Sequence, residues 1–313
     1  MPVVLISGGT GLIGTNLTRH LIARDYDVII LTRDKDKASE NAKLSYAYWD
    51  AKKKEIDADA LKKADHIIHL AGAGVMDKRW SEKFKKQIVE SRVGTSDVLI
   101  QALKSNPNHI KSFVSASAIG WYGEDSKPLV RQEGFIETDP PDKKSFLGET
   151  CVLWEASAEP VAEIGIRLTK IRTGVVLSND GGAYKEFKMA PKFGVAGILG
   201  RGDQVVSWIH IDDICRMYIY LMENESTNGS YNGVAPAPVT NKHLMLLIAK
   251  VLKGKFFIPI HVPEFILKII FGEQSIEILK SATVSVQKIK DTGFRFLYPT
   301  IEAAVEELSA GKK

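Results

Sequence analysis

Cysteine is scarce in this 313-residue sequence, with only Cys151 and Cys215 present. That leaves no disulfide framework and no CxxC metal pair, a usage that fits a reducing compartment. Charge of one sign is lacking too: 42 Lys+Arg against 38 Asp+Glu leave +4, without the concentrated basic stripe of a nucleic-acid binder. The start, MPVVLISGGTG, has neither the charged opening nor the small-residue cleavage site of a signal peptide. The most membrane-like run, FILKIIF at 265–271, is broken by Lys268 and falls far short of the ~20 apolar residues of a span. No GxSxG pentapeptide occurs, which removes the nucleophile-elbow hydrolases. These absences predict a cytoplasmic protein with a small-molecule partner and with neither a nucleic acid nor a membrane as partner.

What is present is an alternation of buried strand and helix patterns. VVLIS (3–7) is a short continuous apolar run, as expected of a parallel strand covered on both faces. A glycine turn follows, then a helix carrying Leu17, Leu21 and Ile22, then a strand at 26–31. The pattern recurs with strands at 64–72 and 111–119 around a helix at 82–103, and with a helix at 145–162 before a strand at 169–177. Such alternation predicts an α/β fold with a Rossmann-type, doubly wound parallel sheet over 1–177. A later strand contribution is expected around 205–235. From 178 the composition shifts: 193–203 is glycine-rich and reads as irregular, and helices at 242–253, 263–271 and 301–308 predict a smaller, more helical lobe over 178–313.

Gly8, Gly11 and Gly14 stand three apart between a strand and a helix, within Ser7-Gly8-Gly9-Thr10-Gly11-Leu12-Ile13-Gly14. Gly8 suits the tight turn, Gly11 lets the backbone approach a pyrophosphate, and Gly14 lets helix and strand pack closely. The helix N-terminus beyond offers free N–H groups and the positive dipole end. Thr10, Leu12 and Ile13 fall in the same phosphate turn. The second strand ends Leu31-Thr32-Arg33, with no carboxylate at its end and Asp34 only after the arginine. Arg33 can pair with a 2′-phosphate bidentately and stack on adenine, which predicts NADP(H). The plainer reading of Arg33 is a solvated surface cation.

GGTGLIG at 8–14, HLAG at 69–72, GT at 94–95, SASAIGWYG at 115–123, IRTGVVL at 171–177 and WIHIDD at 208–213 resemble, in order and approximate spacing, the extended short-chain dehydrogenases/reductases. DKRW at 77–80, the WE pair at 154–155, GG at 181–182 and FGEQS at 271–275 resemble the divergent sugar-nucleotide epimerase-like (SDR39U-type) subgroup. The resemblance implies that Ala71 and Gly72 line the cofactor by main chain, with Leu70 and Thr173 beside it. It also implies that Ser117 holds the position of the family's catalytic serine, with Tyr122 in the family's YG element.

The match breaks at the family's Tyr-x-x-x-Lys pair. Counted back from Glu155, the two slots fall on Leu147 and Cys151. Leucine transfers no proton and cysteine supplies no fixed positive charge. Two readings follow. One is an NADP(H)-dependent oxidoreductase or epimerase-like enzyme with a substituted donor, Tyr122 first among the candidates; the other is an NADP(H)-binding redox sensor without turnover. Leu147 and Cys151, one helical turn apart, are expected to share a face and, with Ser117, to face the nicotinamide ribose.

Three further groups carry weaker signals. Lys78, Arg79 and Trp80 follow the HLAG strand and form a candidate anion- or sugar-binding group, against the plain reading of a solvated helix start. Lys83, Lys85 and Lys86 read as an exposed helical face. His66 and His69 lie on opposite strand faces and do not suit a metal. No metal site is predicted: WIHIDD reads instead as a strand-to-helix junction capped by Asp212 or Asp213.

Overall fold

The computed structural model describes residues 1–125 and 134–310. Strand β1 (Val3–Ser7) runs into helix α1 (Leu12–Ile22) and returns as β2 (Asp27–Thr32). Then come β3 (Leu44–Asp50), the short β4 (Glu55–Ile56), helix α2 (Ala58–Lys63) and β5 (His66–His69). Helix α3 (Glu82–Ser105) leads to β6 (Ser112–Ala118), and helix α4 (Phe146–Ala158) precedes β7 (Arg167–Thr173). The strand Gly229–Gly233 adds to the sheet beside β7, so the eight strands run in the order 229–233, β7, β6, β5, β1, β2, β3, β4. Every pairing is parallel except β3 with β4. This is the doubly wound parallel sheet that the strand-helix alternation predicts.

Both faces of β1 are covered, which explains its unbroken apolar run. Val4 and Ile6 pack with Leu17, Leu21 and the helix Ile211–Glu223 on one side, while Leu5 packs with Ile67, Leu99, Leu103 and Phe113 on the other. The strand order reverses at β1, which has β2 on one side and β5 on the other. The carboxyl ends of β1 and β5 therefore open a crevice, the place where ligands bind in sheets of this kind.

Three elements depart from the sequence reading. The expected strand at 169–177 is divided at Gly174, where a Cβ would stand 2.4 Å from the Ser207 carbonyl oxygen; Val175–Leu177 pairs with Trp208–His210 instead. The glycine-rich stretch expected to be irregular contains a strand, Val195–Leu199, parallel to Ile258–Val262. Burial of Ala196 and Ile198 outweighs the conformational freedom of Gly197 there. At WIHIDD the cap of helix Ile211–Glu223 is His210, which accepts from Asp212 N, and not either aspartate. Asp212 pairs with His20 at 3.0 Å, and Asp213 accepts the main-chain N–H groups of Leu297 and Tyr298. Among the described residues no helix is long and apolar enough to cross a membrane.

Candidate functional site

At the mouth of β1 the chain turns through Gly8, which has φ +71, and Gly11 N donates to Gly8 O at 3.0 Å. The left-handed φ and the closeness of Leu70 main chain, 2.7 Å from a Cβ placed there, both demand glycine at position 8. At Gly14 a Cβ would lie 2.4 Å from Gly8 O and 2.6 Å from Gly9 Cα, so helix and turn touch backbone to backbone. Gly11 differs: its backbone is extended, and a Cβ would meet nothing nearer than Gly8 O at 3.4 Å. Helix α1 has no side-chain cap and no acidic residue in its first turn. The opening N–H groups and the positive dipole end thus face a space kept clear by glycine, which fits a dinucleotide pyrophosphate. Thr10 and Gly11 are exposed there, Leu12 and Ile13 half-buried.

Arg33 is exposed just past the end of β2. Thr32 Oγ1 accepts from Asp34 N, which holds the turn back towards the strand, and the ammonium groups of Lys35 and Lys37 lie over the rings of Tyr48 and Tyr46. Three cations therefore follow the strand end, a grouping of which the sequence reading used only Arg33. Across the crevice, Leu70 N donates to Ser7 O, Ala71 N to Ser7 Oγ and Ala73 N to Ser91 Oγ. His69 is enclosed between Ser7 Oγ and Ser96 Oγ, and burial pulls its pKa down to about 3, so the ring stays neutral. Thr173 ends β7, beside Ala118 at the end of β6.

Ser117 and Tyr122 belong to one buried polar network. Ser117 Oγ donates to Glu155 Oε1 at 2.8 Å, and Arg172 grips the same carboxylate through Nε at 2.8 Å and Nη2 at 3.1 Å. Ser230 Oγ donates to Glu155 Oε2, and Lys170 lies 3.5 Å from that oxygen. Burial alone would raise the Glu155 carboxyl, but the Arg172 hydrogen bonds and charge more than reverse it and hold it below the usual range. Arg172 Nη1 donates to Tyr122 Oη, which donates onward to Asn232 Oδ1 at 2.7 Å. The Tyr122 ring stacks on Phe135 and has no exposed surface, and burial pushes its phenol up to about 12. The structure thus encloses the phenol that the sequence reading put first as donor; its hydroxyl is spent in holding Arg172 and Asn232.

Leu147 and Cys151 share a face of α4, as their spacing predicts, and with Glu155 that face lies against the end of β6. Cys151 Sγ is 3.6 Å from Ala118 O, and a Cβ at Gly120 would meet Leu147 Cβ at 3.3 Å and Cys151 Sγ at 3.5 Å. Burial first, then the Glu155 charge, pushes the Cys151 thiol up to about 12, so this position carries no charge. Next to it lies Arg92, which the sequence reading missed. It is 8% exposed, with its guanidinium over the Trp154 ring at 4.7 Å.

Lys78 and Arg79 are exposed, while Trp80 is fixed: its Nε1 donates to Val75 O, and its ring meets Phe146 edge-on. Gln274 Nε2 donates to the carbonyls of Val75 and Lys78, tying this loop to the C-terminal segment. Lys85, expected on a solvated face, is 18% exposed and pairs with Glu273 at 2.6 Å above the Phe146 ring. Lys83 and Lys86 are exposed.

A family model described as the NAD dependent epimerase/dehydratase family matches residues 4–233, and a second, a domain of unknown function (DUF1731), matches residues 262–308. An epimerase family protein of Staphylococcus aureus is 32% identical over 98% of this chain and 99% of its own length. One from Staphylococcus saprophyticus is 34% identical over the same shares. The crystal structure of a human epimerase family protein, SDR39U1 isoform 2 with NADPH, matches with a TM-score of 0.85 at 28% identity, covering 98% of this chain and 99% of that one.

Proposed function

The chain belongs to the NAD dependent epimerase/dehydratase family, and from that premise we propose that it is a cytoplasmic NADP(H)-binding oxidoreductase of the epimerase-like type, acting on a small molecule. The observation that carries this reading is the uncapped, acid-free start of α1 beside Gly11, at the point where the strand order reverses. Main chain from Thr10 to Gly14 would hold the pyrophosphate. Thr32 and Arg33 would take the adenosine side, and Leu70, Ala71, Gly72 and Thr173 the nicotinamide side. The human relative crystallised with NADPH supports the choice of the phosphorylated cofactor. When bound, the nicotinamide supplies hydride exchange. Ser117 commits its proton to Glu155 and so offers lone pairs, which suits it to orienting a substrate hydroxyl. Lys78 and Arg79 bring positive charge to the substrate side, steadied by the fixed Trp80.

Calorimetry tests the cofactor choice. NADPH is expected to bind about ten- to a hundredfold tighter than NADH, because a charge-assisted bond from Arg33 is worth about 1.5–3 kcal/mol. Arg33→Ala should remove most of that difference. Equal affinities in the wild type would end the assignment of Arg33.

A second reading, an NADP(H)-binding redox sensor, is favoured by one group of observations: Cys151, at a position counted as a donor slot, is a buried neutral thiol, and Tyr122 is enclosed. Deuterium-labelled NADPH incubated with a panel of sugar and hydroxycarbonyl compounds separates the two. The oxidoreductase transfers label to a product, whereas the sensor binds cofactor and transfers none.

A further inference from the structure

Arg92 lies in the buried stripe of α3, and its Nη1 donates to the Ile88 carbonyl of its own helix at 2.9 Å. No carboxylate among the described residues is within ion-pair distance of it. Asp77, whose carboxylate accepts from Gly74 N, acts on Arg92 only through its charge at longer range, and burial outweighs it. A Cβ at Gly72 would stand 3.3 Å from the guanidinium carbon and 3.4 Å from Nη1. Gly72 is itself exposed at the crevice, so only main chain without a side chain separates the cation from it. Burying a charge without a partner is costly, and desolvation accordingly lowers the pKa of Arg92. A charge kept at that cost next to a crevice calls for a role in binding.

We propose that Arg92 supplies from α3 the fixed positive charge that Cys151 cannot supply from α4, and that this charge makes the protein favour NADPH over NADP⁺. The inference rests on the NADP(H) reading above, which brings the nicotinamide end to the mouths of β5 and β6. The nicotinamide ring is positively charged only when oxidised. A buried cation behind Gly72 therefore repels the oxidised form and leaves the reduced form alone. Two like charges within about 10 Å at an effective permittivity of about 20 change a binding constant by about tenfold or more. Trp154, stacked on the guanidinium, and Ile88 O hold the charge in place, so Arg92 acts as a specificity-determining residue without donating a proton.

Titration calorimetry of the folded full-length chain with NADPH and with NADP⁺, each alone, tests this. The wild type is expected to bind NADPH at least about tenfold tighter than NADP⁺. Arg92→Lys should keep the preference, and Arg92→Met should bring the two affinities together, chiefly by strengthening NADP⁺. A packing role alone would weaken both forms equally in Arg92→Met and leave their ratio unchanged, and that result overturns the inference. Equal affinities in the wild type overturn it as well, even should Arg92→Met fail to fold. A wild type that binds neither form would instead refute the underlying cofactor reading.

Discussion

Gly11→Val is expected to give a folded protein that no longer binds NADPH, and Gly14→Val a protein that does not reach the native fold. The two glycines look equivalent in the sequence and differ in their surroundings. At Gly11 the backbone is extended and open, so valine fits without strain, yet its methyl groups occupy the space over the α1 N-terminus. In the proposed cofactor site the pyrophosphate takes that space, so binding should fall at least about a hundredfold, about 2.7 kcal/mol. At Gly14 the Cβ meets main chain of Gly8 and Gly9 within 2.4–2.8 Å, and no rotamer relieves a clash between backbones. Overpacking of this kind costs about 3 kcal/mol or more. Circular dichroism melts and calorimetry on both variants check the pair; NADPH binding retained in folded Gly11→Val would disprove the phosphate turn.

Arg172→Met should destabilise the fold by about 3 kcal/mol at neutral pH, because the buried Glu155 carboxylate loses its bidentate partner and keeps only Lys170 at 3.5 Å and the hydroxyls of Ser117 and Ser230. Glu155 and Arg172 are 4% and 3% exposed, so solvent cannot replace the lost partner. Tyr122 Oη would also lose the donor that fixes it in its bond to Asn232 Oδ1. The pH dependence has a definite sign. The folded carboxyl sits below its ordinary value, so the folded state binds fewer protons than the unfolded one. Its contribution is full above the unfolded value of about 4.3 and is lost as the pH falls through the folded value. The gap between wild type and variant should therefore narrow in acid. Urea unfolding at several pH values measures it; a loss under about 1 kcal/mol at pH 7 would show that the network carries little of the stability.

The first strand, turn and helix were legible because each leaves a local mark: an apolar run covered on both faces, glycines at fixed spacing, and Leu17 and Leu21 at helical spacing. The mouths of β5 and β6 were legible through HLAG and SASAIG. The strand Leu44–Asp50 went unread although its apolar and aromatic positions favour a strand, and Val195–Leu199 was hidden by its glycine. The Ser117–Glu155–Arg172–Tyr122–Asn232 network could not be read, since its partners lie 17 to 110 positions apart. Glu155 served there only as a landmark for counting. Arg92 did leave a signal. It falls in the helical stripe of Phe84, Ile88, Thr95 and Leu99, where a cation on an otherwise enclosed face marks a buried charge.

The most direct test of the whole account is a crystal structure of the chain grown with NADPH. The account predicts the pyrophosphate at the start of α1 against Gly11, the 2′-phosphate at Arg33, and the nicotinamide at the mouths of β5 and β6 between Gly72 and Ser117. Cofactor density elsewhere, or an empty crevice at saturating NADPH, would contradict it.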